Sequence, residues 1–128
     1  MKTRYIVALS IAAGVGIGAA AVQTIHAQAK PPGYIVAEID VGNVEGYTKE
    51  YLPLAIKSLQ DFGVKFLARG GNSESIDGTP PSKRVIVSQF ESLEKAVAAY
   101  KSPAYSEARK IGNKYAKFRI WAVEGLAK

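Results

Sequence analysis

The apolar residues of this chain switch between a period of two and a period of about 3.6, and the order of the switches leaves few folds open. Tyr34 to Val41 alternates, with Ile35, Ala37, Ile39 and Val41 on one side and Tyr34, Val36, Glu38 and Asp40 on the other. Asn43 is a good N-cap for a helix from Val44 to Phe62, in which Val44, Tyr47, Tyr51, Ala55, Leu59 and Phe62 recur at helical spacing. Pro53 falls inside that span, so a kink, or a split after Tyr51, is expected. Gly63 suits the left-handed position that closes a helix. Val64 to Arg69 reads as a second strand, Gly70 to Ser82 as a long polar loop, and Arg84 to Phe90 as a third strand. Ser92 caps a second helix carrying Leu93, Ala96, Val97 and Tyr100, and Ser102-Pro103 restarts a short one running to about Asn113. Phe118 to Glu124 is the last strand. The resulting order is strand, helix, strand, strand, helix, strand. That is the split βαβ pattern of a ferredoxin-like α+β sandwich, whose antiparallel sheet runs fourth, first, third, second.

The segment before Lys30 does not belong to this pattern. Lys2 and Arg4 are followed by an apolar run from Tyr5 to Val22, broken only by Ser10, and Ala27-Gln28-Ala29 offers the small residues of a cleavage site. We therefore expect residues 1–29 to be a secretory signal cut between Ala29 and Lys30, leaving a domain over 30–128 in a periplasmic or secreted setting. The alternative is an uncleaved anchor, the one route by which a membrane would be involved. Gly14, Gly16 and Ala19 mimic a dinucleotide-binding turn, but no strand precedes them, so that reading fails.

Composition excludes more than it suggests. The chain has no cysteine, and its one histidine and one methionine, His26 and Met1, both fall in the signal segment. Residues 30–128 thus hold no Ser-His-Asp or Cys-His nucleophile, no histidine-bound haem and none of the usual zinc donor sets. No cofactor or metal is called for, and chemistry would fall to carboxylates, Tyr, Lys or Arg. Without Lys2 and Arg4 the 17 basic residues become 15 against 11 acidic, a mild excess of +4. The lysines are scattered with no aromatic-interleaved stripe, which argues against nucleic acid.

Each strand keeps apolar residues on both sides. Tyr34 and Val36 oppose Ile35 and Ala37, Ile86 and Phe90 oppose Val85 and Val87, and Trp121 and Val123 oppose Phe118, Ile120 and Ala122. Two helices cover only one face of such a sheet, so the other needs a partner. A two-fold homodimer packing sheet on sheet is the simplest closure.

The same topology gathers charge at one sheet edge. Glu38 and Asp40 end the first strand, Arg69 ends the second, Arg84 begins the third, and Lys117 and Arg119 begin the fourth, with Tyr47 and Tyr51 nearby. These charges either pair with one another, with Arg69 bridged to Glu38 or Asp40, or frame a cleft. In a cleft, the planar fork of Arg69 would hold a small anionic or carbonyl-bearing molecule, and Gly70-Gly71 would let it approach the backbone. Glu38 or Asp40 would serve as a general base only if burial raised its pKa. Tyr47, Tyr51, Tyr100 and Tyr105 read as core-edge residues, and Trp121 as packing.

The blocks Phe66-Leu-Ala-Arg-Gly-Gly71, Arg84-Val-Ile-Val-Ser-Gln-Phe90, Ser92-Leu-Glu, Ala99-Tyr-Lys-Ser-Pro-Ala-Tyr105 and Val123-Glu-Gly125 resemble the DUF1330 family, over roughly Gly33 to Gly125. The resemblance implies the dimeric α/β-barrel, ferredoxin-like fold and a homodimer, and supplies no reaction. By match to its motifs it points to Arg69, Gly70 and Gly71 as cleft residues, then to Tyr47, Arg84, Ser102 and Tyr105. Family members often carry Pro after the third-strand Phe and Glu after Ser-Pro, where this chain has Glu91 and Ala104. An arginine often seen in the short helix falls at Gly112 here, with Arg109 and Lys110 close by. Two functions fit: a small-molecule-binding domain or metal-independent enzyme acting at Arg69, or a non-catalytic exported dimer that binds a protein or the cell envelope.

Overall fold

Four strands form one antiparallel sheet whose buried face is read directly from the alternation in its central strand. The computed structural model describes residues 30–127, and its compact unit spans Pro31–Leu126. The expected signal over 1–29, with Ala29 and the start of its cleavage site, lies outside the described residues. Strand β1 is Gly33–Val41, β2 Lys65–Arg69, β3 Arg84–Phe90 and β4 Ala116–Glu124. Their spatial order is β2-β3-β1-β4, the expected ferredoxin-like arrangement. In β1 the residues Ile35, Ala37 and Ile39 are each 2% exposed, and they meet Ile86 and Phe90 of β3 beneath the helices. Phe90 is 1% exposed, so its ring stabilises the fold by about the 3–5 kcal/mol that such a truncation costs.

Pro53 divides the first helical stretch as its chemistry requires. A short α1, Val44–Gly46, is capped by Asn43, whose Oδ1 accepts from the Gly46 N–H at 3.0 Å. The chain then widens into a π-helical turn, Tyr47–Tyr51, closed by the Leu52 N–H donating to the Tyr47 carbonyl. Helix α2, Leu52–Gln60, follows with Pro53 in its first turn, where a missing N–H costs little. The extra residue in the π turn keeps Tyr47 and Tyr51 both buried, at 2% and 4% exposure. Helices α3, Leu93–Lys101, and α4, Pro103–Gly112, are joined at Ser102. Its hydroxyl donates to the Ala99 carbonyl at 2.8 Å and accepts from the Tyr105 N–H at 3.2 Å, ending one helix and starting the next.

The second strand departs from a regular ladder. Phe66 lies opposite Ser88 and Arg69 opposite Ile86, while only Ala68 faces Val87 between them. Leu67 is the extra residue of a β-bulge. In an unbroken strand, positions 66 and 69 point to opposite faces. The bulge places Phe66 and Arg69 on the same, helix-covered face.

Among the described residues nothing covers the opposite face. Trp121 and Val123 are 43% and 48% exposed there, beside the half-buried Tyr34, Val36, Val85 and Val87. Among the described residues no helix is long and apolar enough to cross a membrane.

Candidate functional site

Two guanidinium groups and one tyrosine hydroxyl meet at the end of the helix-covered face. Arg84, at the start of β3, donates from Nε to the Tyr47 hydroxyl at 3.1 Å, and its guanidinium carbon lies 5.4 Å from the centre of the Tyr47 ring. Arg69, carried to the same side by the bulge, stacks over Phe66 at 4.5 Å. Neither arginine forms an ion pair among the described residues; the four salt bridges there are Lys49–Glu45, Lys95–Glu91, Lys110–Glu107 and Arg119–Glu38. The expected bridge from Arg69 to Glu38 or Asp40 does not form.

Glu38 is engaged on the other face. Its Oε2 accepts from Arg119 Nη2 at 2.8 Å, and its Oε1 accepts from the Ser82 N–H at 3.1 Å. The bond from Arg119, reinforced by the Ser82 amide, holds the Glu38 carboxyl below the usual range. A general base needs the opposite shift, so the geometry gives Glu38 a structural task and pins the end of the β2–β3 loop.

Gly70 follows Arg69 with φ +72°, and a Cβ there would come within 2.7 Å of Arg84 Nη1. The glycine therefore serves both a left-handed turn and the close passage of Arg84. Gly71 has open space around it. Ser102 is buried in its two capping bonds.

Behind the arginines lies a void of about 30 Å³, room for one water, walled by Arg69, Tyr47, Tyr51, Tyr100 and Tyr105 among others. Beside it a mouth of about 280 Å³ is lined by Asp40, Tyr47, Thr48, Gly70, Lys83 and Arg84 among others; Tyr47 lines both spaces, Arg69 only the void and Arg84 only the mouth. The mouth is at the small end for ligand pockets, which run from about 300 to 1,000 Å³.

Burial, opposed by the charge and hydrogen bond of Arg84, raises the pKa of Tyr47, so its hydroxyl is neutral at neutral pH. Because that oxygen accepts from Arg84, its own proton is left to donate elsewhere. Deeper in, the Tyr51 and Tyr105 hydroxyls share a hydrogen bond of 2.9 Å. Burial raises the pKa of both, and likewise that of Tyr100. Ser88 Oγ is wholly buried and makes no hydrogen bond among the described residues, although the Tyr100 hydroxyl comes close enough for Ser88 to ease its ionisation. The sequence pattern puts Tyr47, Tyr51, Tyr100 and Tyr105 alike at the edge of the core. The spacing of Tyr47 and Tyr51 shows that both are buried, but nothing in it reveals the hydroxyl pair with Tyr105.

The arrangement can hold a carboxylate between two positive forks, or polarise a carbonyl with one neutral O–H and flanking charge. Residues 32–126 match the family model for DUF1330, a domain of unknown function. No curated protein matches the chain. Among solved structures, a protein of unknown function from Rhodopseudomonas palustris is similar over 77% of this chain and 85% of its own, at 17% identity and a TM-score of 0.60. A methylated form of that protein aligns at 16% identity and 0.59, over 76% and 82%. A protein of unknown function from Bacteroides thetaiotaomicron, described as a possible oxidoreductase, aligns at 15% identity and 0.49, over 75% of this chain and 99% of its own. At these identities the likeness is one of fold.

Proposed function

The chain belongs to the DUF1330 family, and from that premise we propose that it is an exported small-molecule-binding domain whose ligand is a small carboxylate or carbonyl compound seated against Arg69, Arg84 and Tyr47. The observation that carries this reading is the pair of guanidinium groups, free of ion pairs among the described residues, flanking a neutral buried tyrosine hydroxyl. Two such charges close together repel each other, and a bound anion relieves the repulsion. The void behind them is too small for a ligand body, so the anionic group points inward and the remainder occupies the mouth. Removal of residues 1–29 would deliver the domain to the periplasm or the medium, and the mass of the exported protein, starting at Lys30, checks that.

Differential scanning fluorimetry against small carboxylates and carbonyl compounds tests the binding. A ligand at about a hundred times its Kd stabilises by roughly 2.7 kcal/mol, and each kcal/mol moves Tm by about 4–8 °C in a domain of this size. Arg69→Ala should abolish the shift. A panel without effect, or a shift that survives in Arg69→Ala, would overturn the reading.

The uncovered sheet face favours a second role, assembly with another copy of this chain. Trp121, Val123, Val36, Val85 and Val87 make the same apolar patch on each copy, which suits an isologous two-fold contact. Light scattering after size exclusion should give the dimer mass. A monomer that persists at micromolar concentration sinks this role.

A further inference from the structure

We infer a second anion site, separate from the Arg69 mouth, on the flank of the sheet where α3 and α4 pass over the edge strand β4, and its ligand class is a flat aromatic carboxylate. A cavity of about 260 Å³ opens there, bounded by Lys101, Arg109, Tyr100, Tyr105 and Trp121 over a floor that includes Ile35. Every polar side chain in this lining is a donor or a cation, and no carboxylate contributes to it. Neither Lys101 nor Arg109 forms an ion pair among the described residues. The walls are aromatic and the floor aliphatic, which suits a ring, while the two cations suit its carboxylate.

The placement of Arg109 has a local cause. A Cβ at Gly112 would meet Tyr51 Cδ1 at 2.5 Å, so the helix carries no side chain at that position. One turn earlier, Arg109 lies across the Phe118 ring at 4.0 Å, and its Nε donates to Asn113 Oδ1 at 3.1 Å. Stacking and that bond fix the plane of the guanidinium, whose charge also lies beside the Tyr105 hydroxyl.

The two sites occupy different stretches of the same interlayer space. Ile39 lines the first mouth and Ile35 the second, four residues apart on β1, or about 13 Å at strand rise. Tyr100 and Tyr105 stand between the second cavity and the small void behind Arg69.

The Trp121 ring stands on the open face, with Arg119 5.3 Å from its centre, so binding in this cavity is read by equilibrium dialysis with a radiolabelled probe. Benzoate is the probe and benzamide its neutral counterpart. Benzoate should bind saturably and benzamide should not. Lys101→Gln and Arg109→Gln should each weaken one class of benzoate site about tenfold, and Arg69→Ala should leave that Arg109-dependent class in place. Lys101 is exposed and makes no hydrogen bond among the described residues, so its variant separates lost binding from lost folding. Overturning results are no binding at millimolar benzoate, equal binding of benzamide, or a loss in Arg69→Ala with none in Arg109→Gln. The last would assign the benzoate to the first mouth. A failure of the Arg69 reading, with benzoate still bound here, leaves this site standing.

Discussion

The two faces of this sheet are built from the same kinds of residue and meet different surroundings. On the helix-covered face, Ile35, Ala37, Ile39 and Phe90 are sealed, and the Tyr51 and Tyr105 hydroxyls among them pair with each other, while Ser88 Oγ goes unpaired among the described residues. On the open face, Trp121, Val123 and Val87 are as apolar, yet they remain partly in water and share the surface with the Glu38–Arg119 bridge. The difference teaches that apolar character alone does not mark a core. Closure by helices does, and the bulge decides on which side of that closure Arg69 falls.

The widest gap between the faces should appear on truncation. Phe90→Ala should lose about 3–5 kcal/mol in urea unfolding, whereas Val123→Ala should cost under about 1 kcal/mol in a monomer. A comparable loss at Val123, growing with protein concentration, would show that the open face is also closed, by a second chain.

Removing one hydroxyl tests the sealed polar pair. Tyr51→Phe leaves the Tyr105 hydroxyl buried without its partner and should cost about 1–3 kcal/mol, while the double variant with Tyr105→Phe should cost less than the sum of the two single changes. Additive losses would mean that the two hydroxyls are not coupled.

Alkaline titration distinguishes the faces by solvent. Tyr47, Tyr51, Tyr100 and Tyr105 have folded pKa values raised above 10.0. Their contribution to stability is complete below about pH 10 and is lost as pH rises through the folded values. Absorbance near 295 nm should show these four ionising only with unfolding.

The smallest effect belongs to the open face. The pKa of Glu38 is depressed below 4.5, so its contribution is present above that pH and lost as pH falls through the folded value. Urea unfolding should place Glu38→Gln slightly below wild type at pH 7 and level with it near pH 3, as the solvent-screened partner Arg119 allows only a small gap. A gap unchanged at pH 3 would show that the ion pair contributes nothing.

The architecture was legible because period and caps are local. The alternation of Ile35, Ala37 and Ile39, the split at Pro53 and the restart at Ser102-Pro103 all act through backbone geometry within a few residues. The candidate site was legible only as a gathering of charges at one end. Whether Arg69 and Glu38 share a face depends on a bulge at Leu67, and Leu67-Ala68 reads as ordinary strand. Their partners were equally hidden, because Arg84 with Tyr47 and Glu38 with Arg119 are 37 and 81 residues apart.

The bulge has one more effect. β2 is an outer strand of the sheet, and an outer strand that runs straight offers its free amides and carbonyls to any other chain seeking a ladder. With one residue out of step, β2 twists away and makes a poor template. Edge-to-edge growth of this domain, which has no natural end, is thereby disfavoured, whereas the proposed face-to-face contact would close after two.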